Sequence, residues 1–148
     1  MTHKLVLDIV TQETRLVTVE ATQVTVETTS GEITILPGHI PLVSRLREGL
    51  LRYLDEKGNE QVIAIFGGFL ELGEDGKLSI LADSAVRAED IDLAAVKRAE
   101  QEAQSALADK GKERDFALAE AALRHAALQL RATEHRNRHR SNNQGNHN

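Results

Sequence analysis

Cysteine and tryptophan are absent from the 148 residues, and only three phenylalanines and one tyrosine occur. Without cysteine there is no disulfide, no thiolate metal site and no thiol nucleophile. Few aromatic rings and a formal net charge of −5 exclude the usual footprint of a nucleic-acid binder, which needs stacking surfaces and a basic face. No run of about 18 apolar residues appears, and the opening MTHKLVLDIV lacks the apolar core of a signal peptide. The sequence therefore predicts a soluble chain with no membrane span of its own. Catalytic signatures are missing too: no Gly-x-Ser-x-Gly elbow, no His-Glu-x-x-His and no dinucleotide fingerprint. GEDGKLS (Gly73–Ser79) has the wrong glycine spacing for a phosphate loop and reads as a solvated turn.

Proline is scarce as well, and both prolines fall in GEITILPGHIPLV, Gly31 to Val43, with the only histidine between His3 and His125. Pro37 and Pro41 each fix a backbone angle and remove an amide donor, which predicts a rigid loop or sheet edge. His39 has no sequence neighbour suited to be a catalytic partner and reads as a histidine orienting a turn. Ile40 and Leu42 are apolar on this loop. They either tuck into the end of the domain or face a partner, and the residues alone leave both readings open.

What is present divides into two halves. KLVLDIV, RLVTVEA, TQVTVETT and GEITIL are rich in Val, Ile, Leu and Thr with apolar–polar alternation. Two hairpins follow, turning at Glu56-Lys57-Gly58-Asn59 and at Glu74-Asp75-Gly76. Strands of this kind predict an antiparallel sandwich or barrel over residues 1–86. From Ala88 to Arg136 there is one glycine, Gly111, no proline, and an abundance of alanine. Val96, Ala99, Ala103, Ala106 and Leu107 fall at helical spacing, as do Phe116, Ala119, Leu123, Ala127 and Leu130. Two antiparallel helices joined by DKGK are predicted over 87–136. Acidic residues open each helix (Glu89, Asp90 and Asp92; Glu113 and Asp115) and arginines close the second, which suits the helix dipole.

A seam of methyl groups lets helices approach closely but buries little area, each methyl contributing about a third of a leucine at roughly 25 cal/mol per Å². The hairpin should therefore be detachable. The polar, Asn-rich stretch 137–148 is predicted to be disordered. The acidic excess lies wholly in residues 1–87, and five arginines against the single acid Glu134 make Ala121–Arg140 locally basic. His135 and His139 share a helical face at i, i+4, but the surrounding arginines oppose a metal ion, and no metal site or other cofactor is predicted.

GEITILPGHIPLV, LREGLLRY, FGGFLEL and LSILADSAVRAEDID, followed by the alanine-rich hairpin, resemble the epsilon subunit family of bacterial F-type ATP synthases in order and spacing over residues 3–136. The resemblance implies an N-terminal antiparallel β-sandwich and a C-terminal two-helix hairpin in a non-catalytic subunit of the rotor stalk. Its implied partners are the gamma subunit, the c-ring, and the catalytic alpha and beta subunits. Contact with the cytoplasmic face of the cell membrane comes only through that complex, and the isolated chain should be a monomer. The family couples proton-driven ring rotation to ATP synthesis, and its hairpin inhibits ATP hydrolysis. Glu32, His39, Ile40 and Pro41 match the c-ring contact, Ser44 the approach to gamma, and Arg124, Arg131 and Arg136 the contact with an acidic segment of the catalytic beta subunit. Some members bind ATP through Ile/Leu-Asp-x-x-Arg-Ala. Here Ile91 and Asp92 match, but Ala95 and Val96 replace the Arg-Ala pair, while Glu102 and Gln129 stand where strong binders have arginine, which predicts weak or absent ATP binding. The reading that competes with the resemblance is a stand-alone small-molecule-binding β domain with a helical dimerisation hairpin.

Overall fold

Strand-forming residues dominate the chain as far as Arg87, and in the computed structural model, which describes residues 4–109 and 113–145, they make eight strands. These are β1 Leu5–Val10, β2 Arg15–Ala21, β3 Gln23–Thr28, β4 Gly31–Ile35, β5 Leu42–Leu54, β6 Glu60–Leu72, β7 Lys77–Ala82 and β8 Ala85–Arg87. A short 3-10 turn at Ala88–Asp90 leads into α1 (Leu93–Ala108) and then α2 (Glu113–Gln144). The strands follow the order β2-β1-β7-β6-β5-β3-β4, with β8 also on β6. All neighbours are antiparallel except β1 and β7.

The sandwich arises because β5 and β6 serve two layers. The first half of β6 pairs with β8 and its second half with β7, while β5 accompanies it throughout. Gly67 and Gly68 mark the crossover. Before them the odd residues Ile63 and Ile65 face the core; after them the even residues Leu70 and Leu72 do. β5 changes phase opposite this point, from Leu46 to Leu51 and Tyr53. Gly68 has φ +131°, and a Cβ there would lie 2.1 Å from the Leu81 carbonyl oxygen, so only glycine fits.

Between the layers lie Leu5, Leu7, Ile9, Val24, Val26, Ile35, Leu51, Ile63, Ile65, Leu70, Leu78 and Ile80, all nearly inaccessible to solvent. A second, smaller cluster forms on the outer face of β5 and β6, where Leu50, Val62, Ala64 and Phe66 meet Leu128 and Ala132 of α2, with Ala88 at its edge. VIAIF (Val62–Phe66) is thus apolar without alternation because both of its faces are covered. The hairpin lies against the sandwich, α2 on the strands and α1 on α2.

Two expectations change. The stretch read as disordered is helical to Gln144, since nothing between Arg136 and Gly145 interrupts it; residues 146–148 lie outside the described residues. The expected face of α2 is also displaced. Of that face Ala119 is buried, Leu123 and Leu130 are half-buried, and Phe116 and Ala127 are exposed, whereas Ala126, Leu128, Ala132 and Thr133, outside it, are buried. In α1, Val96 and Ala103 are buried but Ala99 is exposed. Alanine occurs on every side of α2, so its apolar residues do not single out one phase. Lys110–Lys112 of the expected connection, and the side chains of Glu113 and Asp115, lie outside the described residues.

Candidate interaction surfaces

The loop between β4 and β5 is built by its prolines. Leu36-Pro37-Gly38-His39 closes a turn in which the His39 amide donates to the Leu36 carbonyl at 3.1 Å and Gly38 takes φ +86°. This is a type II turn, which wants proline second and glycine third. The His39 ring turns back on the backbone, its Nδ1 2.6 Å from the Ile40 carbonyl oxygen. Ile40 is 76% exposed, and Pro41 is exposed beside it. Of the two open readings for the loop, Ile40 is thus placed outward, whereas Leu42 is half-buried against the core. Glu32, at the start of β4 and about 10 Å from Ile35 along the strand, faces solvent and pairs with Arg52 at 3.4 Å. A cleft beside the loop is closed by Leu72 and the Glu74-Asp75-Gly76 turn.

Ser44 is half-buried, its side chain on the inward side of β5 with Leu42 and Leu46, while Val43 and Arg45 point out. On that outward face Arg45 pairs across β5–β6 with Phe69, and Phe69 pairs with Leu81 of β7. The Arg45 guanidinium lies 5.5 Å from the Phe69 ring centroid, a cation–π contact. Val43 (72%), Phe69 (51%) and Leu81 (56%) leave an apolar patch open on this layer. The sequence reading missed it. The signal was the phase shift at Gly67-Gly68, which turns the odd-numbered residues outward.

The third surface is the seat of α2. Beyond Leu128 and Ala132, the His125 ring stacks on Phe66 with centroids 3.5 Å apart and planes 11° from parallel. The Gln129 amide lies 3.2 Å from His125 Nδ1. One turn beyond Ala132, His135 Nε2 meets Glu60 Oε1 at 2.5 Å, and Arg131 reaches Glu27 at 3.9 Å. Burial depresses the His125 pKa below its ordinary 6.5, with the Glu48 carboxylate pulling weakly the other way.

The three arginines singled out in α2 do not converge. Arg124 is exposed and pairs with Glu120 one turn away, Arg131 is exposed toward Glu27, and Arg136 is half-buried near Glu60 and Glu89. Ile91 packs at the edge of the α2 seat. Asp92 is the N-cap of α1, its Oδ1 accepting from the amides of Ala94 and Ala95 at 3.0 and 3.2 Å. Among the described residues, the groove between the helices is lined by alanines, Val96, His125 and Gln129, with no arginine or lysine. The rings of His135 and His139 lie parallel at 6.4 Å, and no group of three metal-type ligands forms among the described residues. No described helix is long and apolar enough to cross a membrane.

Residues 4–88 match the family profile described as ATP synthase, Delta/Epsilon chain, beta-sandwich domain, and residues 89–134 match the long alpha-helix domain of the same chain. The ATP synthase epsilon chain of Chromohalobacter salexigens is 42% identical over 127 residues, covering 86% of this chain and 89% of that one. A chain in the cryo-EM structure of the Euglena gracilis mitochondrial ATP synthase, OSCP/F1/c-ring in rotational state 1, aligns with a TM-score of 0.63 at 26% identity, over 88% of this chain and 78% of that one. A chain of the Tetrahymena thermophila mitochondrial ATP synthase central stalk and c-ring shares the fold, with a TM-score of 0.54 at 12% identity over 90% and 97% of the two chains. From the sandwich through the hairpin, the chain belongs to the ATP synthase delta/epsilon family, as an epsilon chain.

Proposed function

We propose that this epsilon chain is a non-catalytic rotor subunit that passes the rotation of a proton-driven c-ring to the catalytic head, and that its hairpin restrains ATP hydrolysis. The observation that carries the reading is the division of one rigid sandwich into separate contact surfaces. The proline-braced loop offers Ile40 and Pro41 as an apolar tip with His39 and Glu32 near it, and is the proposed seat on the c-ring. The sheet face of Val43, Phe69 and Leu81, beside Ser44, is the proposed seat on gamma. A torque-bearing element needs stiffness between its two seats, and the continuous strands β5 and β6 supply it.

The hairpin is the movable part. It rests on a small apolar patch flanked by polar contacts, so release costs little relative to unfolding the sandwich. Arg124, Arg131 and Arg138 recur at seven-residue intervals, and seven residues are close to two helical turns, so they form one basic stripe. That stripe and Arg136 suit an acidic segment on the catalytic beta subunit. The complex holds the chain at the cytoplasmic face of the cell membrane, and apart from it the chain is a monomer.

Co-purification tests this reading. The full chain should assemble with gamma at micromolar concentration and turn over no nucleotide alone. Phe69→Glu, which places a charge in the apolar sheet face, should weaken gamma binding at least about tenfold while leaving the fold intact by circular dichroism. Unchanged gamma binding by Phe69→Glu would remove that face from the interface. Failure of the native chain to bind gamma would remove the function.

A further inference from the structure

The seat of α2 contains a titratable ring where an aliphatic side chain would pack more simply. His125 lies flat on Phe66 at 3.5 Å, at one end of the apolar strip formed by Leu128 and Ala132. The Gln129 amide nitrogen lies 3.2 Å from Nδ1, a pairing that suits a neutral ring with Nδ1 as acceptor and the proton on Nε2. Among the described residues, no carboxylate hydrogen-bonds or ion-pairs with it. From β5 the nearest charge acting on it is Glu48, β6 presents Phe66, and the inter-helix groove on its α1 side is lined by Ala95, Val96 and Ala99. On its own helix the adjacent Arg124 is turned to Glu120, and Arg131 to Glu27.

We propose that the Phe66–His125 stack is a proton-sensitive latch, which holds the hairpin on the sandwich while the imidazole is neutral and releases it when the imidazole is protonated. Protonation converts Nδ1 into a donor facing the donor amide of Gln129. Rotation of that amide restores the hydrogen bond but leaves a cation seated in a half-buried apolar contact. The sign follows from the docked ring being harder to protonate than the free one. Docking is complete above the ordinary pKa of 6.5 and weakens as pH falls through the lower value of the docked ring. His135, whose Nε2 lies 2.5 Å from Glu60 Oε1, is a second imidazole at the seat of α2, so the response assigned to His125 is the one that survives removal of His135.

The latch rests on the reading that the hairpin can leave the sandwich, and one experiment separates the two. The chain has no cysteine, so Lys57→Cys on the β5–β6 turn and Asn137→Cys on α2 accept a pair of distance probes. Between pH 7.5 and 5.5 the docked population of the native full-length chain should fall, by up to about tenfold in equilibrium constant per pH unit below 6.5. His125→Phe, which keeps the stack, and His125→Gln, which keeps polarity, should both abolish the fall, and His135→Gln should preserve it. Leu128→Asp should separate the probes at every pH. A flat profile in His135→Gln while Leu128→Asp opens would overturn the latch alone, as would a fall that persists without His125. Probes that stay together in Leu128→Asp would overturn both the latch and the detachable hairpin.

Discussion

Gly68 sits where β6 changes layers. Its φ of +131° and the 2.1 Å approach of the Leu81 carbonyl to an added Cβ let β6 pass from one layer to the other. Gly68→Ala should cost on the order of 3 kcal/mol or more, from backbone strain plus a clash with backbone that cannot move aside. That corresponds to a fall of roughly 10 °C or more in Tm. Gly58→Ala is the control, since φ there is +78° with open space around the Cβ, and it should cost only about 1–2 kcal/mol. Equal losses in the two variants by thermal denaturation would refute the assignment. The sequence carries the pair of glycines plainly; what it hides is that they reverse which residues face out. The resemblance pointed to Ser44, but its side chain turns inward, and the exposed neighbours are Val43, Phe69 and Leu81.

Among the elements, the strands were the most legible, because a half-buried strand alternates visibly and Asp-Gly and Lys-Gly turns punctuate it. The first half of β6 was legible in retrospect: five consecutive apolar residues, Val62–Phe66, in an antiparallel strand require a second covering layer, and α2 is that layer. α2 was the least legible. Alanine on several faces permits more than one docking phase, so burial is decided by larger anchors such as Leu128 and by His125, not by periodicity. Its polar last turns, Asn137–Gln144, extend beyond the family profile, which ends at residue 134. At the other end of the hairpin, Asp92 is committed to capping α1, and among the described residues the adjoining groove has no cationic side chain to meet phosphates. Calorimetry of the isolated chain with ATP should show no sub-millimolar binding; such an affinity would contradict this use of Ile91 and Asp92.

At the scale of the molecule, rigidity and mobility are assigned to different parts. The sandwich buries a large continuous core and presents two fixed surfaces, whereas the hairpin adheres through one small cluster and a few polar contacts. The charges follow the same division, with the net −5 confined to residues 1–87 and the basic stretch at the end of α2. A basic helix resting on an acidic domain can exchange that surface for another acidic partner at small net cost. In the proposed function the hairpin is a regulator whose effect depends on where it rests. The central claim is most directly tested by the ATP hydrolysis rate of the assembled complex carrying three forms of the chain: intact, ended after Ala88, and intact with Leu128→Asp. Ending the chain should retain gamma and raise hydrolysis several-fold, while Leu128→Asp, which frees the hairpin without removing it, should lower hydrolysis below the intact level. Equal rates in all three complexes would contradict the central claim.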